Sequence, residues 1–321
     1  MNLLFLGGEK PFQQTVIIEN RMVRQRILVS CADFSTTEGF ITCLDFDGRK
    51  FQLLNEIIIP HPNPKIAVQG KGITGMCHGS SGTVWAAFSN LIAHIRLDDG
   101  TIIETIQDDK FNDLHDLNIK DGKLVAVNSG NESIDFIDIQ SGRIERFDLL
   151  GESLREKTRK VTVKSDTKPH LHHVSTITYN DQNEMVLAFF KQQRIINIDN
   201  WGQIGPKMPS PIHDLQFSNN KFHWTTICGK KYTFDDKISV IDLAEHGLKI
   251  GWTRGLRLLD SGFIIGTTAI RESNVNFFSH LTKINNSEVK GRISWIPPSI
   301  DQKAIHYEFE NSETRKVYSI I

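Results

Sequence analysis

Short apolar runs, each bounded by glycine, asparagine or aspartate, recur along most of the chain. In residues 114–130, an apolar run, the turn Asp121-Gly122 and a second apolar run predict a β-hairpin. His115 begins the first strand of this hairpin and Asn128 ends the second, so both residues are expected at the same edge of a sheet. Repetition of such hairpins predicts an all-β fold.

The hairpin pattern recurs at intervals of about 40 residues, the length typical of a four-stranded propeller blade. The first strands of the repeats begin near Gly75, His115, His173, His213 and Arg254. We predict a six-bladed β-propeller, although five or seven blades also fit the pattern. A single propeller domain is expected over residues 1–321, with the strand at 316–321 pairing with the first blade to close the ring.

Two stretches interrupt the repeat. Residues 151–169 carry more lysine and arginine than acidic side chains, and residues 274–290 lack clean alternation. The basic insertion fits either a solvated loop between blades or a lid for an anionic ligand, since it leads directly to His173.

The first strand of each propeller blade lines a central channel, so the residues that begin these strands are expected to converge. His115, His173 and His213 would then form a ring with Arg254. Neutral imidazoles suit one divalent transition metal, and with an open coordination position they would activate water or a substrate. The guanidinium of Arg254 suits a carboxylate, sulfate or phosphate.

Neighbouring residues modify this hypothesis. His172 is an alternative to His173, because alternation in a strand places the two on opposite faces. For the same reason Asp116 and Asp214, which follow His115 and His213, are expected to point away from the channel unless the strand is irregular there.

The motifs Pro211-Ile212-His213 and Arg254-Gly-Leu, followed by Gly266 and Arg271-Glu272-Ser273, resemble a bacterial family of conserved hypothetical propeller proteins, the TIGR03032/DUF4915 type. The resemblance covers roughly residues 73–273. It implies a propeller but brings no established reaction. It also implies that the following residues belong to a family pattern: His115, Asn128, Ser129, His173, His213, Arg254, Arg271 and Glu272.

Composition excludes several other classes. The net charge of −1 argues against nucleic acid as a partner. The four cysteines lack metal-thiolate spacing, and no phosphate-binding or dinucleotide motif predicts a nucleotide cofactor. No apolar stretch is long enough to span a membrane and the N-terminus lacks a signal-peptide pattern, so a cytoplasmic location without a membrane partner is expected; the oligomeric state is left open.

These observations favour an enzyme that acts on a small anionic molecule in the channel, as a lyase, hydrolase or group transferase. The predicted catalytic residues are His115, His173, His213 and Glu272, and the three histidines are also the predicted metal ligands. The predicted substrate-binding residues are Asn128, His172, Arg254 and Arg271. The alternative is a non-catalytic scaffold that binds a protein or glycan through its loops.

Overall fold

The computed structural model describes residues 24–151, 171–249, 251–268 and 289–321. Within these ranges 24 strands form six antiparallel sheets of four strands each. The prediction of an all-β, six-bladed propeller is therefore confirmed. Among the described residues, none belongs to a helix that is long and apolar enough to cross a membrane.

The blades are numbered in chain order. Blade 1 contains β1 (Gln25–Asp33), β2 (Gly39–Phe46) and β3 (Phe51–Ile59), together with the C-terminal strand β24 (Arg315–Ile320). Blade 2 contains β4 (Ile73–His78), β5 (Thr83–Phe88), β6 (Leu91–Arg96) and β7 (Ile102–Ile106). Blade 3 contains β8 (Leu114–Lys120), β9 (Lys123–Asn128), β10 (Ser133–Asp138) and β11 (Ile144–Asp148).

The second half of the ring repeats this order. Blade 4 contains β12 (Val174–Tyr179), β13 (Met185–Phe189), β14 (Arg194–Asn197) and β15 (Gly202–Ile204). Blade 5 contains β16 (Ile212–Ser218), β17 (Lys221–Thr226), β18 (Lys230–Phe234) and β19 (Ile238–Asp242). Blade 6 contains β20 (Trp252–Leu259), β21 (Gly262–Thr268), β22 (Arg292–Ile296) and β23 (Ile305–Glu308).

The second strands of blades 2, 3 and 4 are largely apolar because neighbouring blades cover both of their faces. The Val84–Phe88 part of β5 is fully or almost fully buried in this way. Six hydrophobic clusters of buried residues result, each between two adjacent blades. Trp224, for example, lies wholly buried between blades 4 and 5. Burial of a large side chain of this kind contributes roughly 1.5–3 kcal/mol.

The two ends of the described chain meet in blade 1. There β24 pairs antiparallel with β1, from Val29 opposite Ile320 to Asp33 opposite Arg315. Arg315 is buried against the ring of Phe40 and forms an ion pair with Glu56 at 3.0 Å. The predicted closure by the C-terminal strand is confirmed, and it makes β24 the innermost strand of blade 1.

Candidate functional site

A β-bulge interrupts every innermost strand at the same place, where one residue has no partner across the hairpin. In β8 the bulged residue is His115, and in β16 it is His213. The equivalent residues of the other four innermost strands are Thr74, Ser175, Gly255 and Tyr318. All four are buried, and Gly255 carries no side chain. The bulge therefore places His115, His213 and Tyr318 at structurally equivalent positions around the channel.

The predicted equivalence of Gly75, His173 and Arg254 with these residues is wrong by one or two positions. Gly75 follows the bulge, Arg254 precedes it, and His173 precedes β12 altogether. Gly75 serves close packing, because a Cβ atom there would lie 2.9 Å from the backbone of both His115 and Asp116. The sequence spacing missed this shift because the bulged residues Thr74, His115, Ser175, His213 and Gly255 are 41, 60, 38 and 42 residues apart and not a constant distance.

The residue that corresponds structurally to His173 is Asp113. Each has a positive φ, 51° for His173 and 49° for Asp113, and each lies one residue before its innermost strand. Each also accepts a backbone hydrogen bond at its carbonyl from the residue just after the second strand, Phe190 and Ser129 respectively. Asp113 was not predicted, although an Asn-Asp pair immediately before the strand was the available turn signal.

Asp113, His115 and His173 form a cluster of metal-ligand type. Asp113 Oδ2 lies 3.6 Å from His115 Nε2 and 3.9 Å from His173 Nδ1. Each residue offers one ligand atom within 4.8 Å of the other two. Two ligands of one ion with bond lengths of about 2.1 Å lie at most ~4.2 Å apart, so a small contraction would let all three reach one ion.

His213 lies beside this cluster, with its ring centroid 5.8 Å from that of His115. Its Nδ1 is 3.5 Å from Asp214 Oδ1, and among the described residues neither ring nitrogen has a partner with good hydrogen-bond geometry. The structure thus groups two of the three predicted histidine ligands with Asp113 and leaves His213 next to them. His213 is buried, so its imidazole is a polar group shielded from solvent beside the cluster.

Burial and charge keep His115 and His213 neutral and Asp113 ionised. Burial, together with the positive charge of Arg254, lowers the pKa of His115 to about 4 and also lowers that of His213. Burial alone would raise the pKa of Asp113, but Lys71, whose Nζ is 2.9 Å from Asp113 Oδ1, and the nearby imidazoles hold it well below its usual value. Neutral imidazoles and a carboxylate are the protonation states that bind a metal ion.

The carboxylate of Glu132 fixes the loop that carries His173. It accepts hydrogen bonds from the backbone N–H groups of His172 at 2.9 Å and His173 at 3.0 Å. Glu132 is itself fully buried and has a positive φ of 54°. Because its partners are backbone groups, it sets the position of the loop and through it the position of the His173 ring.

Aromatic rings and cations continue the site from His173 to the C-terminal strand. The His173 ring meets Phe190 edge-on at 5.1 Å between centroids, and Phe190 stacks on Trp252 at 6.0 Å. Arg254 Cζ lies 4.9 Å from the Trp252 ring centroid and 4.5 Å from that of Tyr318. Seven residues define what we call the mouth cluster: Lys71, Asp113, His115, His173, His213, Arg254 and Tyr318.

Other predicted site residues lie elsewhere. The amide of Asn128 donates to Lys110 O and Asp135 Oδ2, and accepts from Asn112 N and Asn131 N, so all of its atoms serve the blade 3 hairpin. The structure therefore does not bring Asn128 to the mouth cluster. His172 Nδ1 lies 2.6 Å from Gln192 Nε2 and its ring packs on Phe189, away from the metal-type group. Arg271 and Glu272 lie outside the described residues, as do nearly all of the two predicted insertions.

Asp116 and Asp214 hold neighbouring innermost strands together. Asp116 Oδ2 accepts from Thr176 Oγ1 at 2.7 Å and from the backbone N–H of Ile177 at 3.2 Å. Asp214 Oδ1 accepts from the backbone N–H of Gly255 at 2.9 Å. Both side chains line a cavity of about 360 Å³ further along the channel. We call these two aspartates the inter-strand locks.

No family model matches the sequence, and no curated protein matches it significantly. Solved structures share its fold at low identity. A protein of unknown function from Bacteroides caccae has a TM-score of 0.61 and 12% identity, with 93% of this chain and 98% of that chain covered. A chain of a nidogen/laminin complex has a TM-score of 0.58 and 9% identity over 92% and 97%. Virginiamycin B lyase from Staphylococcus aureus has a TM-score of 0.51 and 13% identity over 90% and 89%. At these identities the similarities show the propeller fold alone and assign no function to this chain.

Proposed function

We propose that this chain is an enzyme that binds a small anionic substrate at the mouth cluster. The observation that carries the proposal is a surplus of positive charge on half-buried side chains. Lys71, Lys316 and Arg254 approach the cluster, whereas Asp113 is the one carboxylate within it among the residues that the structure describes. Buried charge requires compensation, and an anionic ligand would supply it.

Arg254 is the group best placed to hold the anion. Its Nε and Nη1 are buried and have no hydrogen-bond partner in the described ranges, while the Trp252 and Tyr318 rings hold its guanidinium. Two donors of a guanidinium can bind two oxygens of one carboxylate, sulfate or phosphate. A ring-held guanidinium with unused donors is therefore ready to accept such a group at little cost in side-chain entropy.

Asp113, His115 and His173 would hold a divalent metal ion next to this anion site. Lys71 occupies one oxygen of Asp113, and the other oxygen faces the two imidazoles. A metal bound by three protein ligands keeps positions for water or substrate and supplies Lewis-acid chemistry. The chain's own contribution is to orient these ligands through Glu132 and to exclude water by the burial of the cluster.

Anion binding is the first test. We expect sulfate or inorganic phosphate to bind the full chain in a saturable way by calorimetry, and Arg254→Gln to weaken that binding about tenfold to hundredfold. Arg143→Gln is the matched control, because Arg143 is an exposed arginine on the outside of blade 3. Equal binding by wild type and Arg254→Gln would contradict the anion site.

Turnover is the second test. The purified chain, supplied with Mg²⁺, Mn²⁺ or Zn²⁺, is incubated with a metabolite extract, and mass spectrometry follows what is consumed. We expect wild type to consume an anionic metabolite that His173→Ala leaves untouched. If wild type consumes no metabolite with any of the three ions, the chain is not the enzyme proposed.

A further inference from the structure

The position equivalent to His115 and His213 in blade 1 belongs to Tyr318. It is the bulged residue of β24, between Val317 opposite Cys31 and Ser319 opposite Ser30. The phenol is 4% exposed. The C-terminal strand therefore completes the ring of polar side chains as well as the sheet of blade 1.

Cations surround this phenol. Arg254 Cζ lies 4.5 Å and Lys316 Nζ 5.4 Å from its ring centroid, and Lys71, just before β4, adds a third positive charge. Of these, Lys71 is already paired with Asp113. The described charged groups facing Tyr318 from its own strand, from β20 and from the segment before β4 are thus all basic.

This environment favours the phenolate. Burial would raise the pKa of Tyr318, but Lys316, Arg254 and Lys71 outweigh that effect and lower the pKa to about 7. The chain has four tyrosines. Burial raises the pKa of the other three, Tyr179, Tyr232 and Tyr307, and that of Tyr179 reaches about 12. Tyr318 therefore differs from every other tyrosine of the chain.

We infer that Tyr318 is a proton-transfer residue of the mouth cluster, acting on the anion that Arg254 holds. This inference rests on the proposed function, since it needs a substrate at Arg254. The phenolate oxygen would take a proton from an O–H or C–H group of the substrate. The electron pair of that bond would form a new π bond within the substrate as the bond to the leaving atom breaks, and the leaving atom would keep the electron pair of the broken bond. The guanidinium would stabilise the developing negative charge, and the phenol would return the proton to the leaving atom. Proton transfer by a group whose pKa lies near the working pH contributes about a hundredfold to ten-thousandfold in rate.

The first measurement is direct titration of the phenol. The near-ultraviolet absorbance of tyrosinate is recorded between about pH 5.5 and 9 on the full chain, a range in which an ordinary tyrosine stays protonated. We expect one equivalent of tyrosinate to appear with a midpoint near neutrality in wild type and in Tyr307→Phe, and to be absent in Tyr318→Phe. Wild type without this step would overturn the inference, whatever its activity.

The second measurement uses the metabolite that wild type consumes. We expect Tyr318→Phe to have the melting temperature and the sulfate affinity of wild type. Its rate should be lower by about a hundredfold or more, and its pH–rate profile should lack the limb near neutrality. Unchanged rate and pH profile in Tyr318→Phe would overturn the proton-transfer role and leave the proposed enzyme standing. If wild type itself consumes nothing, both proposals fail together, and the titration still reports separately whether the phenol ionises.

Discussion

The mouth cluster and the inter-strand locks are built on the innermost strands and the residues just before them, often from adjacent residues. At the mouth, Arg254 and His213 have buried nitrogens without hydrogen-bond partners in the described ranges. One residue further along, Asp116 and Asp214 have both of their oxygens engaged by neighbouring strands or by their own hairpin. The cavity of about 360 Å³ lies at the locks, where the hydrogen bonds are satisfied.

This difference separates two roles of buried polar groups. A satisfied carboxylate between strands stabilises the ring, and its removal leaves donors without acceptors. An unsatisfied guanidinium or imidazole contributes little to folding, and a bound ligand, ion or water is one way to satisfy it. The residues that line this cavity include neither Arg254 nor His213, so the cavity and these unused donors mark different places in the propeller.

The largest effect is expected from the histidines of the mouth. His115→Ala and His173→Ala should abolish binding of Mn²⁺ or Zn²⁺, measured by calorimetry on chelator-treated protein, because each removes one of three ligands. Their melting temperatures should stay near that of wild type. His306→Ala, an exposed histidine on β23, is the matched control and should bind metal normally. Full metal binding by both mouth variants would refute the metal centre.

The locks should show the opposite behaviour. Asp116→Ala removes the acceptor for Thr176 Oγ1 and for the backbone N–H groups of Ile177 and Leu117. We expect the free energy of unfolding, measured by urea denaturation, to fall by about 2–4 kcal/mol. Sulfate and metal affinities measured on the folded fraction should not change. Weakened ligand binding with unaltered stability would mean that the two regions are not separable.

The pH dependence of stability sharpens the same contrast. Burial, with the nearby charge of Asp214, raises the pKa of Asp116 to about 6 although its hydrogen bonds oppose the rise. Between about pH 4 and 6, the Asp116 carboxyl is therefore protonated in the folded chain and ionised in the unfolded chain. The free energy of unfolding consequently falls as the pH rises through this window. The loss attributable to Asp116 is at most about 3 kcal/mol. It is measured as the difference in unfolding free energy between wild type and Asp116→Asn, whose curve should lack this slope.

Most of the fold could be predicted from the sequence because each hairpin is a local pattern of apolar runs and turns. Which residues form the site was harder to predict from the sequence. The channel ring was predicted from a constant residue spacing, whereas the intervals between the bulged residues vary, so the equivalent positions are Thr74 and Gly255 and not Gly75 and Arg254. Tyr318 belongs to the ring only because β24 pairs with β1, nearly the whole chain away. The pairing of this strand with the first blade was predicted, but the sequence did not show that Tyr318 would occupy the bulge.

Asp113 and Lys71 were missed for a different reason. Both precede an innermost strand, in connections whose side-chain directions depend on positive φ values and on contacts between blades. Alternation in a strand says nothing about such residues. The directions of Asp116 and Asp214 could not be predicted from alternation either. Each follows a bulge, which makes the strand irregular there, and alternation does not hold across a bulge.

The smallest predicted effect tests whether the mouth depends on its support. Glu132→Gln keeps the size of the side chain but replaces one of the two carboxylate oxygens that face the backbone N–H groups of His172 and His173. We expect the unfolding free energy to fall by about 1 kcal/mol and the metal affinity to fall about tenfold, because the His173 ring is held less firmly. Glu145→Gln, an exposed change on β11, is the control. If Glu132→Gln lowers stability but leaves metal affinity intact, Glu132 stabilises the fold, as the inter-strand locks do, and does not position His173 for metal binding.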